Sequence, residues 1–148
     1  MSPKEYSDAI NRLVSRPDFQ PHDGQTFCNL FITEIAHLFG YKGFDGLVAN
    51  QIIDLMDKGK PFSKIEKPDY KRIAKSATID AVPTLIIAGQ KANGHGHVCA
   101  VSPLGGTTFS FKWMKTVCNV DNVGKTVFEN KGLNWAFATE PTLYIYQG

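Results

Sequence analysis

The feature of this sequence that most limits its fold is a change of hydrophobic periodicity partway along the chain. In the first half, apolar residues recur at helical spacing and predict helices over about 3–15, 26–39, 48–56 and 69–79. In the second half, short apolar runs bounded by turn residues predict strands over 84–88, 97–102, 107–113, 126–128, 135–138 and 143–146. This order favours an α+β fold, with helices packed on one face of an antiparallel sheet of about five or six strands.

The chain of 148 residues fits one domain, 1–148, because no linker, internal repeat or low-complexity run divides it. A domain of this size buries roughly 70% of the surface of its unfolded chain, so we expect it to fold without a metal, a disulfide or a cofactor. Its three cysteines are an odd number and show no Cys-x-x-Cys spacing. The net charge of +2, without a basic stripe, gives no indication of nucleic-acid binding.

The N-terminus and the apolar runs bear on where the protein acts. No apolar run approaches about 20 residues, so we expect no membrane span. The segment MSPKEYSDAINRL lacks the apolar core of a secretory signal. We therefore expect a protein made in the cytoplasm without a signal peptide, which reaches any external target by another route.

Cys28, in the stretch QTFCNLF, lies where a turn gives way to the second predicted helix. If that helix starts near Thr26, Cys28 lies in its first turn, where unpaired N–H groups and the helix dipole favour a thiolate. Free cysteine is also among the most often buried residue types, so a core thiol is the alternative interpretation.

A nucleophilic cysteine needs a base, and histidine is the usual one. His37 lies on the same helix about two and a half turns beyond Cys28, too far along the axis to pair with it. His95 and His97 precede a predicted strand in GHGHVCAV, and alternation puts them on one face with Cys99. If that face meets the Cys28 helix, His97 is the base, His95 is a second base, a substrate contact or a turn residue, and Cys99 is core.

A zinc site is the competing interpretation of the two histidines. His95 and His97 are spaced to offer two ligands from one strand, but zinc needs a third and usually a fourth. No other His or Cys stands at a supporting spacing, and an Asp or Glu ligand would have to come from a distant segment, so we expect no metal.

Three segments taken in order carry a family resemblance: TFCNLF at residues 26–31, Ala49-Asn50 opening the next helix, and GHVCAV at 96–101. Over roughly residues 20–146 they resemble the CHAP and NlpC-type group of papain-like cysteine amidases and endopeptidases, which cut peptidoglycan. The resemblance implies a papain-like fold in which Cys28, at a helix N-terminus, packs against a sheet that carries His97. It also implies amide cleavage by a Cys–His thioacyl mechanism.

The resemblance further implies a third polar residue that orients the imidazole through its other ring nitrogen. Asn119, Asp121 and Asn122 are candidates, and we prefer Asn122 because it directly precedes Val123-Gly124 and a strand-like run. A turn asparagine is the alternative.

The oxyanion hole would combine the backbone N–H of Cys28 with the side-chain amide of Gln25. Asn29 and Asn50 are candidates to line the cleft, with helix capping or hydrogen bonding within the fold as their alternative. Trp113 and Trp135 are candidates to flank a substrate groove, although tryptophan in a small domain is more often core.

The expected function is cleavage of an amide bond in peptidoglycan, by an N-acetylmuramoyl-L-alanine amidase or a stem-peptide endopeptidase. The expected partners are peptidoglycan or its peptide stems, and an inhibitor or immunity protein if the chain is a phage lytic protein or an antibacterial effector. The alternatives are a zinc-dependent hydrolase using His95 and His97, and a non-catalytic binding module of the same fold.

Overall fold

The computed structural model describes residues 1–79 and 82–148. Within them lie four α-helices: α1 Pro3–Val14, α2 Cys28–Leu38, α3 Ala49–Asp57 and α4 Tyr70–Ile79. The strands are β1 Phe62–Ile65, β2 Ile86–Gln90, β3 His97–Val101, β4 Thr107–Ser110, β5 Lys115–Asn122, β6 Phe128–Gly132 and β7 Thr142–Tyr146. Short 3₁₀ turns span Pro17–Phe19 and Leu133–Trp135.

The seven strands form one antiparallel sheet in the order β1-β7-β2-β3-β5-β4, with β6 also paired to β5. The predicted α+β class is confirmed. The predicted number of five or six strands is wrong, because β1 and β5 were both missed. β1 also lies between α3 and α4, so the helices do not all precede the strands.

One predicted strand, 135–138, is not a strand. Its first residue, Trp135, ends the 3₁₀ turn, and the segment then runs to Pro141 without joining the sheet. The prediction failed because its apolar residues indicate burial without indicating extended backbone.

The apolar residues divide into two clusters, one on each face of the sheet. The first cluster packs α1, α2 and α3 against Val98 and Ala100 of β3, and the second packs α4 against Cys99 and Val101. The expectation that the helices share one face is therefore wrong, since α4 lies opposite the other three. Within the described residues, no helix is both long enough and apolar enough to cross a membrane.

Helix α2 begins without a side-chain cap, and this matters for the site. Helix α1 has a capping box, in which the Glu5 N–H donates to Ser2 Oγ at 3.1 Å. The N-cap residue of α2 is Phe27, whose side chain accepts no hydrogen bond. The first N–H groups of α2 are therefore left for another acceptor.

Candidate active site

His97 and Asn122 meet where β3 and β5 lie side by side. His97 is the first residue of β3 and the buried Asn122 is the last residue of β5. The Asn122 Oδ1 lies 2.6 Å from His97 Nε2, and the Asn122 Nδ2 donates to the carbonyl oxygen of Thr126 at 2.8 Å. Because the Thr126 carbonyl oxygen can only accept, the Asn122 amide nitrogen must face it and the amide oxygen faces the ring, so Nε2 of His97 carries the proton. Nδ1 of His97 is left as the basic nitrogen.

Two further residues define the position of the imidazole. The Phe137 ring centroid lies 5.1 Å from that of His97, with the ring planes tilted by 56°. A Cβ added to Gly124 would lie 2.8 Å from His97 Cε1, so the ring occupies space that only glycine leaves open. Burial lowers the pKa of His97, and the hydrogen bond to Asn122 opposes that shift.

Cys28 is the first residue of α2 and is buried, with 5% of its surface exposed. Burial raises the pKa of its thiol, against the opposing effect of backbone hydrogen bonds from Val98, Asn29 and Cys28 itself. The helix start therefore stabilises a thiolate, as expected, but desolvation outweighs it. The balance of these effects puts the Cys28 pKa above its ordinary value, opposite to the depressed pKa that the helix start alone predicted.

The thiol lies at the same end of β3 as the imidazole, because Val98, which bonds to it, directly follows His97. The predicted face was wrong: Cys28 packs with Val98 in the first cluster, whereas Cys99, which alternation puts on the same face as His97, lies in the second. The His97 ring contacts Phe137, which also belongs to the second cluster, so the shared face under which His97 was predicted to be the base is not observed. Between Cys28 and His97, both within the described residues, the structure forms no hydrogen bond; the imidazole bonds to Asn122.

The other predicted site residues are used differently. Gln25 is exposed and forms a tight turn with His22 through two backbone hydrogen bonds, of 2.9 and 3.2 Å. Asn29 Nδ2 donates to the carbonyl oxygen of Leu47 at 3.1 Å, which is hydrogen bonding within the fold. His95 is exposed in the loop before β3.

Asn50 has a clear role in placing the histidine strand. Its Nδ2 donates to the Ala92 carbonyl at 2.8 Å, and its Oδ1 accepts from the Ala92 N–H at 3.3 Å. It also lies against Gly96, where any side chain would collide with it. Asn50 therefore ties α3 to the loop that leads into His97.

Gly124 and Phe137 contact the imidazole but were not predicted as site residues. Gly124 was named only as a neighbour of Asn122, and Phe137 was assigned to a strand. Nothing local to either residue reveals the contact, since both meet His97 through tertiary packing. Of the two tryptophans that were candidates to flank a groove, Trp113 is partly buried and Trp135 is 66% exposed, so the core alternative does not hold for Trp135.

The described residues offer little support for a zinc site at His95 and His97. Nowhere in residues 1–79 and 82–148 do three or more His, Cys, Asp or Glu side chains gather as a metal would require. The two histidines therefore lack the third ligand that the zinc alternative needs.

No family model, no curated protein and no solved structure matches the chain. The site is therefore described by the geometry of its own residues.

Proposed function

We propose that this protein is a cysteine-dependent hydrolase that cleaves an amide bond in peptidoglycan. The observation that carries the proposal is the hydrogen bond between Asn122 Oδ1 and His97 Nε2, with the asparagine amide held in turn by Thr126. It leaves the imidazole fixed, neutral and basic at Nδ1, at the end of β3 where Cys28 lies.

The chemistry follows from the protonation states. His97 Nδ1 takes the proton of the Cys28 thiol as the sulfur attacks the amide carbonyl. The imidazolium then gives that proton to the departing amine as the C–N bond breaks, which leaves a thioacyl group on Cys28. Water, deprotonated by the same Nδ1, releases the acid and restores the thiol.

The start of α2 supplies donors for the oxyanion of each tetrahedral intermediate. The backbone N–H groups of Cys28 and Asn29 point towards the sulfur, and the helix has no side-chain cap to occupy them. Fixed donors of this kind stabilise charge only as it develops, so they favour the transition state. The exposed side chain of Gln25 is the proposed additional donor.

The substrate class comes from the resemblance of the Cys28, Ala49-Asn50 and His97 segments to peptidoglycan amidases and endopeptidases. The bond is therefore either the glycan–peptide amide or an amide within the stem peptide, and an inhibitor or immunity protein is a proposed partner. The proposed site of action is the cell wall.

A covalent intermediate tests the mechanism. Soluble muropeptides are mixed with the protein, the reaction is acid-quenched within one turnover, and the protein is digested for mass spectrometry. We expect a muropeptide acyl group on the fragment that contains Cys28, and none in Cys28→Ala. Turnover by Cys28→Ala at the wild-type rate would overturn the proposal. The variant Cys118→Ala, which removes a buried thiol of the second cluster, is the matched control.

A further inference from the structure

The tip of the β4–β5 hairpin is hydrogen-bonded to a segment that lies outside the sheet. Lys112 Nζ donates to the backbone carbonyl oxygens of Asn134, at 3.0 Å, and Phe137, at 2.7 Å. Neither carbonyl lies in a strand, because β6 ends at Gly132 and β7 begins only at Thr142. A single ammonium group therefore binds both ends of the turn that contains them.

We call residues 134–138 the strap. Trp113, next to Lys112, adds a second attachment, because its Nε1 donates to the carbonyl of Ala138 at 3.3 Å. The ammonium of Lys112 also lies 5.3 Å from the centre of the Trp113 ring. The hairpin tip thus holds the strap at three carbonyl groups.

The buried side chain of the strap is the one that contacts His97. Phe137 is 5% exposed, and its ring lies 5.1 Å from the imidazole. Trp135, two residues earlier, is 66% exposed, so Phe137 is the strap aromatic that reaches the interior. Gly124 and Asn122 contact the Cε1 edge and the Nε2 atom of the same imidazole.

We propose that Lys112 is a positioning residue for His97, which it holds through the strap and Phe137. The ammonium fixes the Phe137 carbonyl, the backbone fixes the ring, and the ring keeps the imidazole against Gly124 and away from water. For catalysis this rests on the proposed function, in which His97 is the base.

Removal of the ammonium has a defined consequence. Two effects shift the His97 pKa: burial lowers it, and the hydrogen bond to Asn122 raises it. A strap without its anchor lets water reach the ring, so the effect of burial weakens and the pKa rises. Lys112→Met keeps the apolar stem and removes only the charge and the donors.

The experiment is an NMR titration of His97 through its ¹³Cε1–¹H signal in the full chain, without substrate. We expect Lys112→Met to raise the His97 pKa by about half a unit or more. Lys112→Arg, which keeps charge and paired donors, retains the wild-type value. The matched control is Lys131→Met, because Lys131 also lies over an aromatic ring, that of Phe128 at 5.8 Å.

A double-mutant cycle separates action through the strap from a direct effect of charge. In a Phe137→Leu background, Lys112→Met should leave the His97 pKa unchanged, because the contact through which it acts is gone. An equal shift in both backgrounds would show a field effect and overturn the proposal. An unchanged pKa in folded Lys112→Met would also overturn it.

If Lys112→Met does not fold, Lys112→Leu, which also removes the charge and both donors, replaces it, and an unchanged pKa has the same meaning. The titration uses no substrate, so its failure is distinct from that of the proposed function, which depends on turnover by Cys28→Ala.

Discussion

Asn122 accepts from His97 Nε2 at 2.6 Å while its own amide group donates to the Thr126 carbonyl at 2.8 Å. One side chain thus sets both the orientation of the imidazole and the nitrogen that carries its proton. The basic Nδ1 follows from this pair of contacts, and so does the direction of proton transfer in the proposed mechanism.

Replacement of Asn122 by alanine and by aspartate should shift the His97 pKa in opposite directions. Asn122→Ala removes the hydrogen bond that raises the pKa, so the value should fall further below that of an ordinary histidine. Asn122→Asp puts a carboxylate beside Nε2, which favours the imidazolium, so the His97 pKa should rise. Histidine NMR titration measures both, and shifts in the same direction would contradict the assignment.

Gly124→Ala should damage the site while leaving the fold intact. The added Cβ would lie 2.8 Å from His97 Cε1, so the imidazole must move, while alanine can adopt the Gly124 backbone conformation. We expect at least about a tenfold loss of kcat/KM, since small displacements of catalytic groups are costly. The thermal midpoint of the same variant is the control. Full activity would show that the ring position is not critical.

The thiol should behave as a neutral group at rest. Because burial raises the Cys28 pKa, alkylation by iodoacetamide should be slow at pH 6 and accelerate only in alkaline solution. Cys28, at 5% exposure, should still react before the fully buried Cys99 and Cys118. Alkylation is followed by peptide mass spectrometry. Rapid labelling of Cys28 at pH 6 would instead indicate a resting thiolate–imidazolium pair.

Turnover should persist into mildly acidic solution. The base must be neutral to accept the thiol proton, and burial lowers the His97 pKa from 6.5. The acidic limb of kcat/KM against pH should therefore lie below that value, and Asn122→Asp should move it upwards. An acidic limb above pH 6.5 in the wild type would contradict a buried neutral base.

Asp121, beside Asn122, should make the protein less stable at alkaline pH. Its Oδ1 accepts from the Asn130 N–H at 2.9 Å, and the Ser102 side chain also favours the carboxylate. Burial outweighs both and raises the pKa from 3.8 to about 7. The unfolded chain loses this proton near pH 3.8, so this contribution is complete below that pH and is lost as pH rises through 7. Since one pKa unit corresponds to about 1.4 kcal/mol, the loss is a few kcal/mol.

Asp121→Asn should remove most of this loss. Its free energy of unfolding in urea should exceed that of the wild type at pH 8, with a smaller difference at pH 5. The control Asp8→Asn changes an exposed carboxylate and should follow the wild type. Equal pH dependence in wild type and Asp121→Asn would show that Asp121 is not the responsible group.

Local patterns predicted the helices well and the sheet less well. The capping box at Ser2 and the apolar spacing predicted α1 to within a residue, because both signals lie within the helix. Strand β5 was missed because its polar residues are typical of turns. In the fold, Asn119 accepts from Thr108 Oγ1 at 2.6 Å and Asn122 pairs with His97. Those partners are distant in sequence, so no local pattern reveals them.

The candidate site, too, could be predicted only where it depends on residues that are neighbours in sequence. The position of Cys28 at a helix start could be predicted, because it depends on neighbouring residues. Strand alternation correctly separated Val98 from Cys99, but it does not say which face meets α2, and that choice was wrong. The raised pKa of Cys28 was also missed, since desolvation depends on packing from the whole first cluster.

The most direct measurement is digestion of purified peptidoglycan, with the released fragments identified by mass spectrometry. The account predicts that the wild type releases muropeptides with one kind of cleaved amide. Folded Cys28→Ala and His97→Ala should release none, and Asn122→Ala only a small fraction of the wild-type yield. Undiminished release of the same fragments by Cys28→Ala would contradict the account.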